Sequence, residues 1–301
     1  MDWVLPHFSS PFTTSNFSSN TSRSRSRSRS LVSPFHINHL SKFSSLALPH
    51  FRRPALRLRH MAAALQDAAA TAAVTAGAYV LVYTFDNLTQ RQFIQQKLSR
   101  KIVHILSGVL FMSSWPIFSS SPEARYFAAV VPLLNCARLI IYGTRLFKDE
   151  ALIKSVTREG NPEELLKGPL YYVMALLLSV LVFWRDSPVG IISLSMMTGG
   201  DGVADMIGRK YGSTKLPYNR NKSWIGSVSM FVCGFLLSIG MLYYFSILGY
   251  VHLDWDETTR KVALVSFVAT LMESLPITDV LDDNISVPIA SMCTALVLSG
   301  F

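Results

Sequence analysis

Recurring apolar blocks of about twenty residues constrain this chain more than any other feature of its sequence. A helix that crosses a bilayer needs about 20 mostly apolar residues, with about 17 as a lower limit. Blocks of this kind begin at Ala68 and are separated by short polar connections; they lie at residues 68–85, 102–119, 126–143, 169–185, 188–200, 226–249, 262–278 and 285–301. Block 188–200 is too short to cross alone, so we expect it to be completed by the helix that follows or to end at membrane depth. The pattern predicts roughly six to eight crossings.

The same blocks predict an all-α architecture. Inside a bilayer every backbone N–H and C=O group must be bonded within the protein, so only helices and closed barrels cross it. The ten-residue alternation typical of barrel strands is absent from the sequence. Charged residues make up 16% of the chain, whereas soluble domains carry about a quarter. We therefore expect residues 61–301 to form a multi-pass integral membrane bundle of helices.

The first sixty residues differ in composition from the rest. They contain fourteen serines, nine lysines or arginines and a single acid, Asp2. Organelle transit peptides are rich in serine and arginine and poor in acids, so we expect residues 1–60 to be a disordered transit peptide that is removed near Met61. Composition does not distinguish a plastid from a mitochondrion, and a disordered cytosolic tail is the alternative. The remaining residues carry nineteen basic and eighteen acidic side chains, so we expect no nucleic-acid partner.

Charged residues interrupt the apolar body in a few places, and segment 199–226 is the most informative of them. If its first half is helical, then Asp201, Asp205, Gly208 and Gly212 lie on one face. Magnesium favours one or two carboxylates together with phosphate oxygens, and glycines below the acids leave a groove that phosphates can approach. The spacing therefore favours a metal–nucleotide site. Close helix packing is the alternative explanation of the glycines.

Two further features of this segment suit phosphate. Gly199 and Gly200 precede the acids, and we expect them to place a helix N-terminus at the cavity, where N–H groups suit an anion. A polar loop then ends in Lys222 and Ser223, followed by Gly226. A lysine beside a hydroxyl can neutralise a phosphate and donate to it. The spacing of a Walker A loop is absent.

A second acidic set lies near the C-terminus. Glu273 falls inside an apolar block, and Pro276 should end the helix there. Asp282, Asp283 and Asn284 follow. These acids either cap a helix from a solvated loop or meet the first set across a cavity. Opposed carboxylates repel each other unless a cation lies between them, so the second arrangement predicts metal dependence.

Basic residues form the remaining candidates. Arg100, Lys101 and His104 open the second block; they either anchor the helix at the interface by snorkelling or contact phosphate, with His104 orienting a substrate hydroxyl. Arg138 lies within an apolar block, so we expect it to face a cavity rather than lipid. Segment 155–168 reads as a solvated loop, with phosphate or headgroup contact as the alternative.

Together these motifs resemble the polyprenol kinase family, which includes the dolichol kinases and the plastid phytol and farnesol kinases of plants. The likeness covers roughly residues 68–301 and is strongest to the phytol kinase branch. It rests on Arg100-Lys101-x-x-His104, the stretch KGPLYYV at 167–173, Asp201-x-x-x-Asp205-x-x-Gly208-x-x-x-Gly212, Lys222-Ser223-x-x-Gly226 and Glu273 with Asp282-Asp283-Asn284.

The resemblance implies a multi-pass chloroplast membrane enzyme that phosphorylates phytol from CTP with Mg²⁺. It implies that phytyl phosphate feeds phytol salvage into tocopherol synthesis. The expected partners are the isoprenoid alcohol, the nucleotide and membrane lipid, and no obligate protein partner is evident. A farnesol or geranylgeraniol kinase and a CTP-dependent cytidylyltransferase of lipid phosphates are alternatives. A transporter is another, although such folds are often built from related halves, which this sequence lacks.

Within these motifs, spacing predicts the division of roles. Lys222 and Ser223 are expected to contact the transferred phosphate, and either of the first two acids could accept the substrate proton. The expected magnesium ligands are Asp201, Asp205, Asp282 and Asp283. The expected nucleotide contacts are Gly208, Gly212, Gly226, Asn284, Arg100, Lys101 and His104.

Overall fold

A computed structural model describes residues 52–147, 156–157, 160–276 and 281–298. Every element named within these ranges is helical, and Lys215 and Ser223 form an isolated antiparallel bridge. The expected all-α fold is therefore confirmed. Residues 1–51 lie outside the described ranges, and the expected boundary near Met61 falls within the first helix. The α-helices are α1 (Arg52–Gln90), α2 (Gln96–Ser113), α3 (Ala124–Gly143), α4 (Gly168–Val182), α5 (Pro188–Ser195), α6 (Gly202–Tyr211), α7 (Trp224–Ile247), α8 (Trp255–Ser274) and α9 (Asp283–Val297).

Four helical segments in the described part are long and apolar enough to cross a bilayer, and they correspond to α1, α3, α4 and α7. The shorter α9 is apolar as well. The expected spans at 102–119 and 262–278 correspond to α2 and α8. Neither helix meets the same criterion of length and apolar character, because basic residues open α2 and charged residues of both signs open α8.

The short block at 188–200 is completed by the helix that follows it. Helix α5 runs into a single π-helical turn, Met196–Asp201, and then into α6 without a break. At about 1.5 Å per residue this continuous segment is about 36 Å long. Every residue of the π turn is buried, as is α5 from Val189 onward, and a helix that is apolar on all sides belongs in a core. The segment packs against α2, α7 and α9.

The expected helix N-terminus at Gly199 and Gly200 is wrong, because the helix is continuous through both residues. The two glycines instead bring the π turn against α7. A Cβ atom on Gly200 would lie 3.4 Å from the carbonyl oxygen of Met230. A Cβ atom on Gly234 in α7 would lie 3.4 Å from the Cα of Gly200. These glycines therefore serve close helix packing.

Helix α1 is the most peripheral element, and it packs on α2 and α3. Asp67, in the first half of α1, is fully buried and accepts hydrogen bonds from the Ser119 N–H at 2.6 Å and the Ser119 hydroxyl at 2.8 Å. Arg185 holds the same segment by donating to the carbonyl oxygens of Phe118 at 2.8 Å and Ser119 at 2.6 Å. These bonds anchor α1 to the segment between α2 and α3.

Candidate active site

A cavity of about 920 Å³ lies at one end of the bundle, where α2, α4, α7 and α9 begin and α1, α3, α6 and α8 end. Its lining combines charged side chains, glycines and aliphatic residues. The expected site residues that line it are Arg100, Lys101, His104, Asp201, Asp205, Gly208, Lys222, Ser223, Gly226, Asp282, Asp283 and Asn284. The structure therefore brings the motifs from both ends of the body together.

Three acids form the acidic cluster of this cavity: Asp201, Glu273 and Asp283. One carboxylate oxygen from each lies within 4.8 Å of the others. Asp201 ends the buried π turn, while Glu273 lies in the last turn of α8, which stops at Ser274, two residues before Pro276. The expected second acidic set therefore does meet the first across a cavity.

Lys222 is the counter-charge at the centre of the acidic cluster. Its Nζ atom donates to Glu273 Oε1 and, at 2.9 Å, to Asp283 Oδ2. Burial alone would lower the pKa of Lys222, but the negative charges of the acidic cluster outweigh burial and raise that pKa above its ordinary value. The ammonium group therefore keeps its charge throughout the neutral pH range.

The loop between α6 and α7 places Lys222. Within the loop, the N–H of Leu216 donates to the Lys222 carbonyl oxygen at 3.1 Å. The buried Asn219 side chain donates to the carbonyl oxygen of Ser274 at 3.1 Å, and the Tyr218 hydroxyl donates to the Ser274 hydroxyl at 3.0 Å. The loop is thus fixed to the residue that follows Glu273, which sets the position of Lys222 relative to that acid.

The acidic cluster also has the donor atoms that a hard cation requires. Glu273 Oε2, Asp283 Oδ1 and Asn284 Oδ1 are buried and have no hydrogen-bond partner among the described residues. Buried polar atoms are normally paired, so unpaired ones call for an explanation. Magnesium binds oxygen ligands and takes one or two carboxylates together with phosphate oxygens. The residues present therefore fit a divalent cation.

The geometry differs from the expected magnesium set at two positions. Asp205 accepts a hydrogen bond from Arg209 Nε at 2.7 Å. Asp282 caps α9, with its Oδ1 accepting from the Asn284 N–H at 2.9 Å and from Asn284 Nδ2 at 2.8 Å. Neither acid belongs to the acidic cluster. Glu273 belongs to the acidic cluster instead; its position inside an apolar block had placed it in the second acidic set, although not among the expected magnesium ligands.

Lys101 links the two acids of the first motif. Its Nζ atom lies 3.4 Å from Asp201 Oδ2 and 3.4 Å from Asp205 Oδ2. It therefore supplies a second positive charge beside the acidic cluster. Arg100 lines the same cavity, so the two basic residues at the start of α2 both lie at the site.

His104 lies one helical turn further along α2 and is held on two sides. Its Nε2 atom is 3.3 Å from the carbonyl oxygen of Met197 and 4.0 Å from Asp201 Oδ2. Its ring centroid is 4.1 Å from that of Tyr172, and the Tyr172 hydroxyl donates to the His104 carbonyl oxygen at 2.8 Å. The imidazole is thereby fixed beside Asp201.

The glycines of the motif serve both packing and the cavity. Gly208 and Gly226 line the cavity, and a Cβ atom on Gly226 would lie 3.3 Å from the Cα of Gly208. Ser223 caps α7 by accepting from the Gly226 N–H at 3.2 Å, so the N-terminus of α7 is one of the helix N-termini that meet at this cavity. Gly212 does not line the cavity; it ends α6 and packs against Ser223.

The cavity carries further charges in its lining. Arg138 lines it, as expected for a basic residue within an apolar block. Of segment 155–168, residues Asn161, Glu164 and Lys167 line it too, so this part of the segment is not simply a solvated loop. Ser155, Arg158 and Glu159 lie outside the described residues.

The chain is similar over most of its length to plant proteins with one shared name. It is 68% identical over 239 residues to probable phytol kinase 1, chloroplastic, from Oryza sativa subsp. japonica, covering 79% of this chain and 76% of that protein. It is 66% identical over 236 residues to probable phytol kinase, chloroplastic, from Zea mays, covering 78% of each. It is 62% identical over 237 residues to phytol kinase 1, chloroplastic, from Arabidopsis thaliana, covering 79% of this chain and 78% of that protein. No family model and no solved structure matches the chain.

We expect metal affinity to depend on Glu273 more than on Asp205. A divalent cation that binds the folded protein raises its unfolding temperature, so Mn²⁺ titration monitored by thermal unfolding in detergent reports affinity without any reaction. Loss of a residue that only hydrogen-bonds to a metal ligand weakens metal binding about 10- to 100-fold. We therefore expect Glu273→Gln, which removes a ligand, to weaken Mn²⁺ binding by at least that factor.

The matched control is Asp205→Asn, which also removes a carboxylate from the cavity lining. Because Asp205 is bound to Arg209 and Lys101, its loss should change Mn²⁺ affinity much less. Equal effects of the two substitutions, or a larger effect at Asp205, would contradict the ligand set drawn from the structure.

Proposed function

The chain belongs to the family of plant phytol kinases, and we propose that it transfers the terminal phosphate of CTP to the hydroxyl group of phytol. The products are phytyl phosphate and CDP, and we propose that phytyl phosphate feeds phytol salvage into tocopherol synthesis. The observation that supports this best is a cavity whose lining includes both an acidic cluster with its lysine and aliphatic side chains. A long-chain alcohol partitions into lipid and a nucleoside triphosphate stays in water, so their reaction requires such a boundary site.

We propose that Mg²⁺ binds at the acidic cluster, held by Asp201, Glu273 and Asp283. When bound, Mg²⁺ neutralises charge on the phosphate oxygens of the donor. The unpaired oxygen atoms of Glu273 and Asp283 support this assignment. Asp205 and Asp282 then have supporting roles, the first in holding Lys101 and the second in capping α9.

Phosphoryl transfer requires mainly positioning and charge stabilisation from a protein. Lys222 would donate to the terminal phosphate from its place between Glu273 and Asp283. Ser223 and the N-terminal N–H groups of α7 suit the preceding phosphate, because a helix N-terminus favours anions. Gly208 and Gly226 lack side chains, so a nucleotide can approach the backbone there. The remaining proposed nucleotide contacts are Arg100, Lys101 and Asn284.

The alcohol would react beside Asp201. Its oxygen forms a bond to the terminal phosphorus while the bond from that phosphorus to the bridging oxygen breaks, and CDP leaves with the bonding electrons. The hydroxyl proton passes to the carboxylate of Asp201. His104, fixed by Tyr172 and the Met197 carbonyl oxygen, would orient the hydroxyl for this transfer.

An assay with CTP labelled on its terminal phosphate, on purified protein in detergent with Mg²⁺ and phytol, tests this function. We expect labelled phytyl phosphate and unlabelled CDP in equal amounts, and much slower transfer from ATP. Supplying farnesol and geranylgeraniol in turn measures the preference for the alcohol. Release of pyrophosphate with transfer of CMP to a lipid phosphate would instead identify a cytidylyltransferase. Lack of any nucleotide consumption would refute the kinase assignment and favour a transporter.

Replacing Lys222 should impair the chemical step more than the fold. Loss of one preorganised donor to developing charge lowers kcat by about 10²–10³-fold in other enzymes, so we expect a decrease of that order for Lys222→Met and a smaller one for Lys222→Arg, which keeps the charge. Steady-state kinetics with the labelled nucleotide measure both.

Lys210→Met is the matched control, because Lys210 is exposed and contacts the ring of Tyr211. This variant should retain normal kcat. Normal activity of Lys222→Met would contradict the assigned role.

We propose that residues 1–60 direct the chain into the chloroplast and that the body spans a chloroplast membrane several times. The composition of these residues and the names of the relatives support this. A fluorescent protein fused to residues 1–60 should accumulate in chloroplasts, and the fusion should be shortened on import. A fusion carrying residues 61–301 alone should fail to enter. Cytosolic fluorescence from the first fusion would refute the targeting role.

A further inference from the structure

One part of the cavity is lined by aliphatic side chains that the phosphate chemistry does not use. Five of them come from neighbouring helices: α1 packs on α2 and α3, and α3 packs on α4. We name these five the apolar arm; it consists of Ala78, Val82, Val103, Leu139 and Val173. Val156 and Ala204 line the cavity as well. An aliphatic wall cannot stabilise a triphosphate, so the apolar arm calls for a different occupant.

The stripe of α1 that lines the cavity becomes more polar toward the C-terminal end of the helix. Ala78, Val82 and Asp86 are spaced four residues apart, so they lie on one face. At about 1.5 Å per residue, Ala78 lies about 12 Å along the axis from Asp86. Asp86 is nearest the end of α1 at Gln90, and Ala78 is farthest from it. The cavity therefore has a polar end and an apolar end on this helix.

The apolar arm is continuous with the reacting groups. Val103 precedes His104, whose Nε2 atom is 4.0 Å from Asp201 Oδ2. Val173 follows Tyr172, whose ring packs on that of His104 with centroids 4.1 Å apart. His104, Tyr172 and the acidic cluster line the same cavity as the arm, so a ligand in the arm shares that cavity with the reacting groups.

Helix α1 separates the arm from the surroundings of the bundle. Tyr79 and Val80, next to Ala78 in sequence, are 61% and 60% exposed, so the opposite face of α1 presents apolar side chains outward. In a bilayer that face would contact acyl chains. One helix therefore lies between lipid and the arm.

We propose that the apolar arm binds the hydrocarbon chain of the substrate alcohol, with the hydroxyl group directed past His104 toward Asp201. This inference rests on the proposed function and adds the subsite that distinguishes alcohols by the length of their hydrocarbon chains. The volume of about 920 Å³ lies near the upper end of the about 300–1,000 Å³ typical of ligand cavities. It gives room for a phosphate-bearing group and a hydrocarbon chain side by side.

Filling the arm should change which alcohols react. Ala78→Phe and Val103→Phe place a ring in the arm from two different helices. The quantity to measure is kcat/KM for a twenty-carbon isoprenoid alcohol divided by kcat/KM for a five-carbon one. We expect each substitution to lower this ratio at least about tenfold, since even a single methylene in an apolar pocket can contribute that much discrimination. The KM for CTP should stay near its wild-type value.

The matched control is Ala76→Phe, the same substitution on the exposed side of α1, which should leave the ratio unchanged. An unchanged ratio in both arm variants, or an equal change in Ala76→Phe, would overturn the proposal. Two arm variants on separate helices keep the test decisive if one of them does not fold.

Direct binding separates this inference from the proposed function. Retention of a radiolabelled twenty-carbon alcohol by the purified protein requires no nucleotide. In one outcome the wild type retains the alcohol, Ala78→Phe does not retain it, and the wild type transfers no phosphate. That outcome supports the apolar arm and refutes the kinase assignment. In the other outcome the wild type phosphorylates the alcohol, while Ala78→Phe retains the alcohol and keeps the wild-type kcat/KM ratio. That outcome refutes the apolar arm and supports the kinase assignment.

Discussion

The site depends on a balance of charge in a mostly apolar interior. The acidic cluster concentrates negative charge where desolvation is costly, and buried charges persist only when they are paired. Lys222 and Lys101 provide that pairing. The groups come from α2, the π turn, the α6–α7 loop, α8 and α9, so the pairing also ties together elements that are far apart in the sequence. The acidic cluster also fits the proposed divalent cation, since Glu273 Oε2 and Asp283 Oδ1 have no hydrogen-bond partner among the described residues.

Close backbone contact makes this arrangement possible. Gly208 and Gly226 let α6 approach α7 at the cavity, and Gly234 lets α7 approach the π turn. Packing and phosphate binding are therefore not competing explanations of the glycines, because the contact that joins the helices also leaves part of the cavity wall without side chains. Hydrogen bonds from Tyr218 and Asn219 to Ser274 then fix the loop that carries Lys222.

The sequence predicted the helical class, and most of its candidate site residues line the cavity, because both results follow from local properties. Long apolar blocks specify helices, and charges inside them must face something polar. It did not predict that Glu273, rather than Asp205 or Asp282, joins the acidic cluster, because that depends on the tertiary partners of each acid. Arg209 lies one turn from Asp205, and Asp282 precedes a helix that needs a cap. Glu273 has Lys222 as its partner, 51 residues away, and that distance can be bridged only by the tertiary fold. The π turn left no recognisable trace in the hydropathy pattern either.

The π turn absorbs one residue of chain length. A π turn holds about one residue more than the corresponding α turn, so after loss of one residue from this turn regular helix could form with the flanking residues near their original directions. In regular α-helix a deletion rotates everything after it by about 100°. A deletion within α5 would thus turn Asp201 and Asp205 away from the acids of α8 and α9, although no functional side chain had been replaced. Over evolutionary time, changes in the length of this buried helix are better tolerated at the π turn than in the gene segments on either side of it.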